Sequence, residues 1–346
     1  MGQIIYRWDL DKTYIKTDFD TVKDLFKTAF QHAEEKENVP GAPSLLKELQ
    51  KTEDNQIYFI SGSPFQMRRV LEKKLRIDGI RWEELVLKPN LENLFHGRFR
   101  ALREQVGYKL PAMLKDRVKA GKEPREVLFG DDAESDAFIY SLYADIIAGR
   151  VDRETVLKIL DLVRAPHDNV RMTSDLFKRL QPADAVQKIF IYLDKKSPPR
   201  RFEVYGSRLV PIYNYFQAAL VLYTSGMMAL TSIIRMILDL VFESNYPPDP
   251  FANSFQDLMR RGILGTEQAA GIVESIKQNM NVKVIPLPEG FYERLITLLD
   301  ALKEYVKEPE KESAPVDIDY VALYNKEHEK FIKRRRSMIE KLLDID

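Results

Sequence analysis

Apolar residues along the first 150 positions come in two spacings that alternate. Short continuous runs at 3–8, 57–60, 85–87 and 127–129 predict strands. Between them, residues 20–35 place Val22, Leu25, Phe26, Ala29 and Phe30 at helical spacing, and 66–75, 110–120 and 136–149 read the same way. Residues 39–43, Val-Pro-Gly-Ala-Pro, break the chain, and Ser44 offers a cap for a helix running to Leu49. Strands separated by helices predict a parallel sheet with crossover connections, in the α/β class. Beyond Arg150 the texture changes: 151–163, 172–180, 183–193, 210–242, 255–261, 266–278, 288–306 and 320–343 all favour helix. Proline-rich joints fall at 197–199 and 247–250, and 308–315 is a charged linker. The expectation is therefore a Rossmann-like three-layer domain over 1–150, with a small insert at 14–56. An all-helical region over 151–346, without an assigned role, would follow it.

Composition narrows the partners. The chain has 346 residues, 45% of them apolar, enough for a large core. Lys+Arg and Asp+Glu are both 53, so the net charge is zero and no nucleic-acid partner is expected. Cysteine is absent, which excludes disulfides and thiolate metal sites and suits a reducing compartment. Met1 leads into Ile4-Ile5-Tyr6 without the pattern of a secretory leader, so the expectation is a cytoplasmic location. One stretch tests that reading. Residues 209–234 contain no charge and are long enough to span a bilayer, yet they carry Pro211, Asn214, Gln217, Thr224, Ser225 and Gly226. A buried helix, or a helix pair broken near Gly226, is the leading reading. A homodimer surface or a peripheral membrane contact comes next, and a membrane span last.

The candidate chemistry gathers after three predicted strands: Asp9/Asp11, Ser61/Ser63 and Asp131/Asp132/Asp136. In parallel α/β sheets the carboxyl ends of the strands are where ligands bind. Two residues apart on an extended tip, Asp9 and Asp11 point the same way. Asp9 can attack phosphorus, while Asp11 can protonate the leaving oxygen and then activate water. Asp131 would complete a hard-oxygen site suited to Mg²⁺. Ser61 can donate to a phosphoryl oxygen, and Lys109 can neutralise charge there.

These residues resemble the four ordered motifs of the haloacid dehalogenase (HAD) superfamily of phosphotransferases. The motifs are Asp9-Leu-Asp-Lys-Thr13, Ser61 after an apolar strand, Lys109, and Gly130-Asp-Asp-Ala-Glu-Ser-Asp136. A narrower resemblance, over about residues 3–147, is to the phosphatidate phosphatase catalytic domain of the actin-patch type and its bacterial relatives. It rests on Ile60-Ser-Gly-Ser-Pro-Phe65, Tyr108-Lys-Leu-Pro and the run from Phe129 to Tyr140. The chain departs from that family at Asp132, where Ser or Thr is usual. The resemblance implies Asp9 as nucleophile and metal ligand, and Asp11 as acid/base with its carbonyl on the metal. It implies that Thr13 orients the loop, that Ser61, Gly62 and Lys109 hold the phosphoryl group, and that Asp131 binds Mg²⁺. Asp132 and Asp136 are further ligand candidates, Asp132 through a metal-bound water and Asp136 alternatively as the residue that orients Lys109.

The expected function is a Mg²⁺-dependent phosphatase acting on a phosphomonoester of a lipid, protein or small molecule through an aspartyl-phosphate intermediate. Phosphatidate is one candidate substrate. The alternative is a scaffolding or binding protein that works through its helical region and keeps a vestigial or highly selective phosphatase domain. His96-Gly97-Arg98, between the second and third motifs, could touch substrate; Arg68-Arg69 and the basic run 333–336 could touch an anion, but for both of these a solvated helix face is the leading reading.

Overall fold

The computed structural model describes residues 2–16, 36–88, 98–133, 135–280, 287–302 and 316–329, with the backbone alone for 98–104. The helix expected at 20–35, the linker at 308–315, His96 and Gly97, and the run 333–336 lie outside these residues.

Six strands form one all-parallel sheet: β1 (Ile4–Trp8), β2 (Gln56–Pro64), β3 (Glu84–Lys88), β4 (Arg125–Asp131), β5 (Val186–Tyr192) and β6 (Leu209–Ile212). Their order is β3-β2-β1-β4-β5-β6, so the chain winds outward first one way and then the other. The reversal falls between β1 and β4, and crevices at such a switch point bind ligands in doubly wound sheets. Alternate side chains divide the sheet between two cores. Tyr6, Trp8, Ile57, Phe59, Val127, Phe129, Phe190, Val210 and Ile212 face one. Ile60, Leu128, Ile189, Ile191 and Leu209 face the other.

The first core is covered by α1 (Ala42–Leu49) and α2 (Arg68–Ile77), together with five helices from the second half of the chain. These are α7 (Tyr215–Thr224), α8 (Leu230–Ser244), α9 (Pro248–Arg260), α10 (Thr266–Asn279) and α11 (Phe291–Ala301). The second core lies under α3 (Arg98–Ala120), α4 (Asp136–Ile147), α5 (Arg153–Leu162) and α6 (His167–Phe177), with Tyr320 and Tyr324 of the helix at 320–329.

The fold class matches the expectation of a Rossmann-like parallel sheet followed by a helical region. Two elements differ. Residues 183–193 and the start of 210–242, expected as helix, contain β5 and β6, which pair in parallel onto β4 and onto each other. A short buried apolar run has no period that separates strand from helix. The deciding signals were the β-branched and aromatic residues Val186, Ile189, Phe190, Ile191 and Tyr192, and Pro211, which is tolerated on an edge strand. The helix that follows starts only at Tyr215, where Asn214 Oδ1 accepts from Gln217 N at 3.0 Å. The first helix also starts differently: Gly41, in the left-handed region at φ 83°, is its N-cap, and Ser44 lies inside its first turn.

Residues 209–234 thus become β6, α7 and the start of α8. Their turn at Gly226 is left-handed at φ 69°, and the strand and most of α7 are buried. No helix among the described residues is long and apolar enough to cross a membrane.

Pro111 lies inside α3, two positions after Lys109. A proline there cannot donate to the carbonyl four residues back, Gly107 O. That carbonyl instead accepts from Asn169 Nδ2 of α6 at 2.8 Å. Gly107 leaves room for this approach, since a Cβ on it would lie 3.1 Å from Ala165 Cβ. The carbonyl that the proline leaves without a helical donor, next to Lys109, is therefore satisfied by a neighbouring element.

Candidate active site

Asp9 follows the last residue of β1, and its N–H closes the β1–β4 ladder on Phe129 O at 2.9 Å. The chain then turns back sharply. Leu10 O accepts from the N–H groups of Tyr14 (3.0 Å) and Ile15 (2.9 Å), and Lys12 takes a left-handed φ of 61°. This fold-back brings Thr13 under Asp9, where Thr13 Oγ1 donates to Asp9 Oδ2 at 3.3 Å.

The other Asp9 oxygen, Oδ1, accepts from Lys109 Nζ at 2.8 Å. Lys109 donates as well to Asp136 Oδ1 at 2.6 Å, and Asp136 Oδ2 accepts from Asp131 N at 3.3 Å. Asp9, Asp131 and Asp136 are all completely buried and each offers one oxygen, these lying within 4.8 Å of one another. Three buried carboxylates lie together with one ammonium, which donates to two of them. Such an excess of negative charge is costly unless a cation or protons offset it. The donor set is hard oxygen throughout, which suits a divalent ion such as Mg²⁺.

Asp11, two residues on, joins a different pair. Its Oδ2 accepts from Ser61 Oγ at 2.8 Å and from Ser63 Oγ at 2.6 Å, and Ser61 Oγ in turn accepts from Ser63 N at 2.9 Å. Both serines lie at the carboxyl end of β2, where the register with β3 shifts between Ser61 and Pro64. Lys36, within the insert, feels the Asp11 carboxylate. Burial lowers its pKa, opposed by the Asp11 carboxylate. Tyr108, beside Lys109, is also affected by the site: burial raises its phenol, against the pull of Lys109.

The structure brings together Asp9, Thr13, Lys109 and Asp131 of the expected residues, and Asp11 with Ser61. Asp132 turns elsewhere. Its Oδ1 accepts from Lys195 N at 2.7 Å and its Oδ2 from Ser197 N at 2.9 Å, so both oxygens hold the loop after β5. Gly62 lies beside Gln105, whose Nε2 would be 3.4 Å from a Cβ on that glycine. Arg68 is engaged with Leu85 O at 2.6 Å and Glu72 Oε1 at 3.3 Å, and it covers the Phe65 ring.

Sequence reasoning missed three neighbours of the site. Gln105 precedes Lys109 by four residues on α3, a spacing that puts both on one helix face and could have been read. Ser63 was visible in the cluster after β2 without a role. Tyr215 carried no local signal: its hydroxyl donates to Thr13 O at 2.5 Å across 202 positions of sequence.

Residues 8–160 match the family model for the phosphatidate phosphatase APP1 catalytic domain. Searches of curated proteins and of solved structures find no match. The matched residues hold every carboxylate of the cluster, with Lys109, Ser61 and Ser63; over this segment, which is less than half of its length, the chain is similar to that catalytic domain, and it is a phosphoric monoester hydrolase.

Proposed function

We infer that the chain hydrolyses a phosphomonoester in two steps through Asp9. Supporting this is one observation above the others: Asp9 lies between Lys109 and Thr13 while sharing an oxygen cluster with Asp131 and Asp136. In the first step an Asp9 oxygen attacks phosphorus, the P–O bond to the leaving alkoxide breaks, and Asp11 supplies the alkoxide with a proton. In the second, Asp11 takes a proton from water as that water attacks phosphorus. The bond from phosphorus to Asp9 breaks, and inorganic phosphate leaves.

Thr13 fixes which Asp9 oxygen faces the substrate. Lys109 balances the carboxylates and the phosphoryl oxygens, and is itself held by Asp136. Ser61 and Ser63 orient Asp11, and Ser61 with the Gly62 N–H would meet the phosphoryl group. Mg²⁺ held by Asp9 and Asp131, with the Asp11 carbonyl and with Asp136 beside them, would neutralise charge on the transferring group. Asp132 serves the loop after β5 instead. The substrate class we favour is a lipid phosphomonoester of the phosphatidate type, on the strength of the family that residues 8–160 match.

Phosphate release from p-nitrophenyl phosphate and from phosphatidate vesicles, with and without Mg²⁺, tests the reading. Wild type should turn over both in a chelator-sensitive way, and Asp9→Asn and Asp11→Asn should each lose at least about a hundredfold in kcat, the scale of a missing nucleophile or acid. Wild-type turnover by Asp9→Asn would sink the mechanism. A folded wild type that releases no phosphate from either substrate would favour the scaffolding alternative.

A further inference from the structure

The matched catalytic segment ends at residue 160, yet the loop that carries Asp9, Asp11 and Thr13 is held from outside it. Tyr215 is the first residue of α7, placed by the Asn214 cap, and it is almost completely buried. Its ring stacks on Trp8, the residue before Asp9, at 5.3 Å and 28°, and on Tyr192 at the end of β5 at 5.6 Å and 16°. Trp8 stacks in turn on Phe129 at 4.0 Å, and Phe129 on Phe190 at 5.0 Å. An aromatic column thus runs beneath the carboxyl ends of β1, β4 and β5, with Tyr215 against it. Its hydroxyl leaves the column to donate to Thr13 O at 2.5 Å.

Thr13 is the residue whose own hydroxyl fixes Asp9 Oδ2, and it follows the left-handed Lys12. A non-glycine residue in that region costs about 1 kcal/mol or more and needs its surroundings to hold it. Gly41 leaves the space that Tyr215 occupies: a Cβ there would lie 3.3 Å from Tyr215 Cβ. Burial, followed by the nearby Tyr192 hydroxyl and the Asp131, Asp9 and Asp136 carboxylates, raises the Tyr215 pKa well above its ordinary value, so the phenol remains a donor.

We propose that Tyr215 is a positioning residue for the phosphatase reaction, holding the Thr13 carbonyl so that Thr13 aims the attacking oxygen of Asp9. The inference rests on the reading of Asp9 as nucleophile. It makes the helical second half part of the catalytic apparatus, because the loop geometry depends on a side chain that the matched segment does not contain.

The test is Tyr215→Phe, which keeps the ring and its stacking and removes only the hydroxyl. Tyr320→Phe is the control, because Tyr320 also donates from a buried hydroxyl at 2.5 Å, to Asp145 in the other core. Two readouts are compared: Mg²⁺-dependent hydrolysis of p-nitrophenyl phosphate, and hydrogen exchange of the Tyr14 and Ile15 amides that close the loop on Leu10. In Tyr215→Phe, kcat should fall roughly tenfold with KM within about twofold, the scale of one lost hydrogen bond in the transition state. The two amides should exchange roughly tenfold faster. Tyr320→Phe should show neither change, even if it melts earlier.

Unchanged exchange at Tyr14 and Ile15 in Tyr215→Phe overturns the proposal whatever the activity. So does faster exchange with wild-type kcat, or an equal loss of kcat in both tyrosine variants. Failure of the underlying mechanism would appear separately, as full turnover by Asp9→Asn.

Discussion

Asp131 and Asp132 are neighbours in sequence whose carboxylates do different things. Asp131 shares a buried cluster with Asp9 and Asp136, and its Oδ1 accepts from Ala133 N at 2.5 Å. Asp132 spends both oxygens on the backbone of Lys195 and Ser197. A doubled aspartate after a strand could equally have been two ligands, and nothing local in the sequence separates the roles, because the partners of Asp132 lie 63 and 65 positions away. Asp132→Ala should therefore cost stability, leaving the buried Ser197 N–H and the part-buried Lys195 N–H without their acceptor, at about 1–3 kcal/mol in all. Urea denaturation measures the loss, and the Mg²⁺ concentration for half-maximal phosphate release should stay near the wild-type value. A large rise in that concentration, with stability intact, would make Asp132 a ligand after all. The Asp9, Asp11 and Thr13 pattern was legible because its chemistry is packed into five residues. Tyr215 was not, since a tyrosine at the start of an apolar helix is an ordinary core residue until its partner is known.

Among elements, the junction of β4 with α4 sets the site most tightly. Asp131 ends the strand and Asp136 begins the helix, so the turn between them must deliver two carboxylates to one place. Gly130 makes this possible by close approach: a Cβ there would lie 2.5 Å from both Asp136 Cβ and Asp136 Oδ2. Gly130→Ala should push Asp136 away from Lys109, destabilise the fold by about 1–3 kcal/mol as overpacking does, and remove most hydrolysis. A variant that melts like wild type and keeps its kcat would show that α4 can shift without harm to the site. Strands β1 to β4 were legible because apolar runs and helical spacings alternate cleanly. Strands β5 and β6 were hidden within long apolar stretches, where burial on both faces of the sheet erases the period-two pattern that marks a half-exposed strand.

At the scale of the whole molecule, the change of texture after Arg150 suggested a division that the sheet does not respect. β4 is an inner strand, hydrogen-bonded to β1 on one side and, from Glu126 to Asp131, to β5 on the other. The core beneath β1 and β2 is continuous with α7 to α11, so Trp8 and Phe59 belong to the same apolar cluster as Phe251 and Leu295. Ending the chain after residue 160 would keep every side chain of the carboxylate cluster and remove what frames it. The β4 edge would lose its partner, Asp132 its two donors, Thr13 its Tyr215 bond and the first core most of its helical cover. An unpaired central strand with an exposed apolar face favours association over folding. Residues 1–160 alone should accordingly aggregate or lack a cooperative thermal transition, and should release no phosphate where the full chain does. Scanning calorimetry and the p-nitrophenyl phosphate assay decide it together. A sharp transition with near-wild-type turnover would mean that the matched segment is self-sufficient, and that β5, β6 and the helices serve something other than the site. Loss of both would mean that the catalytic residues are encoded in the first part of the chain but are held in working geometry only by the second.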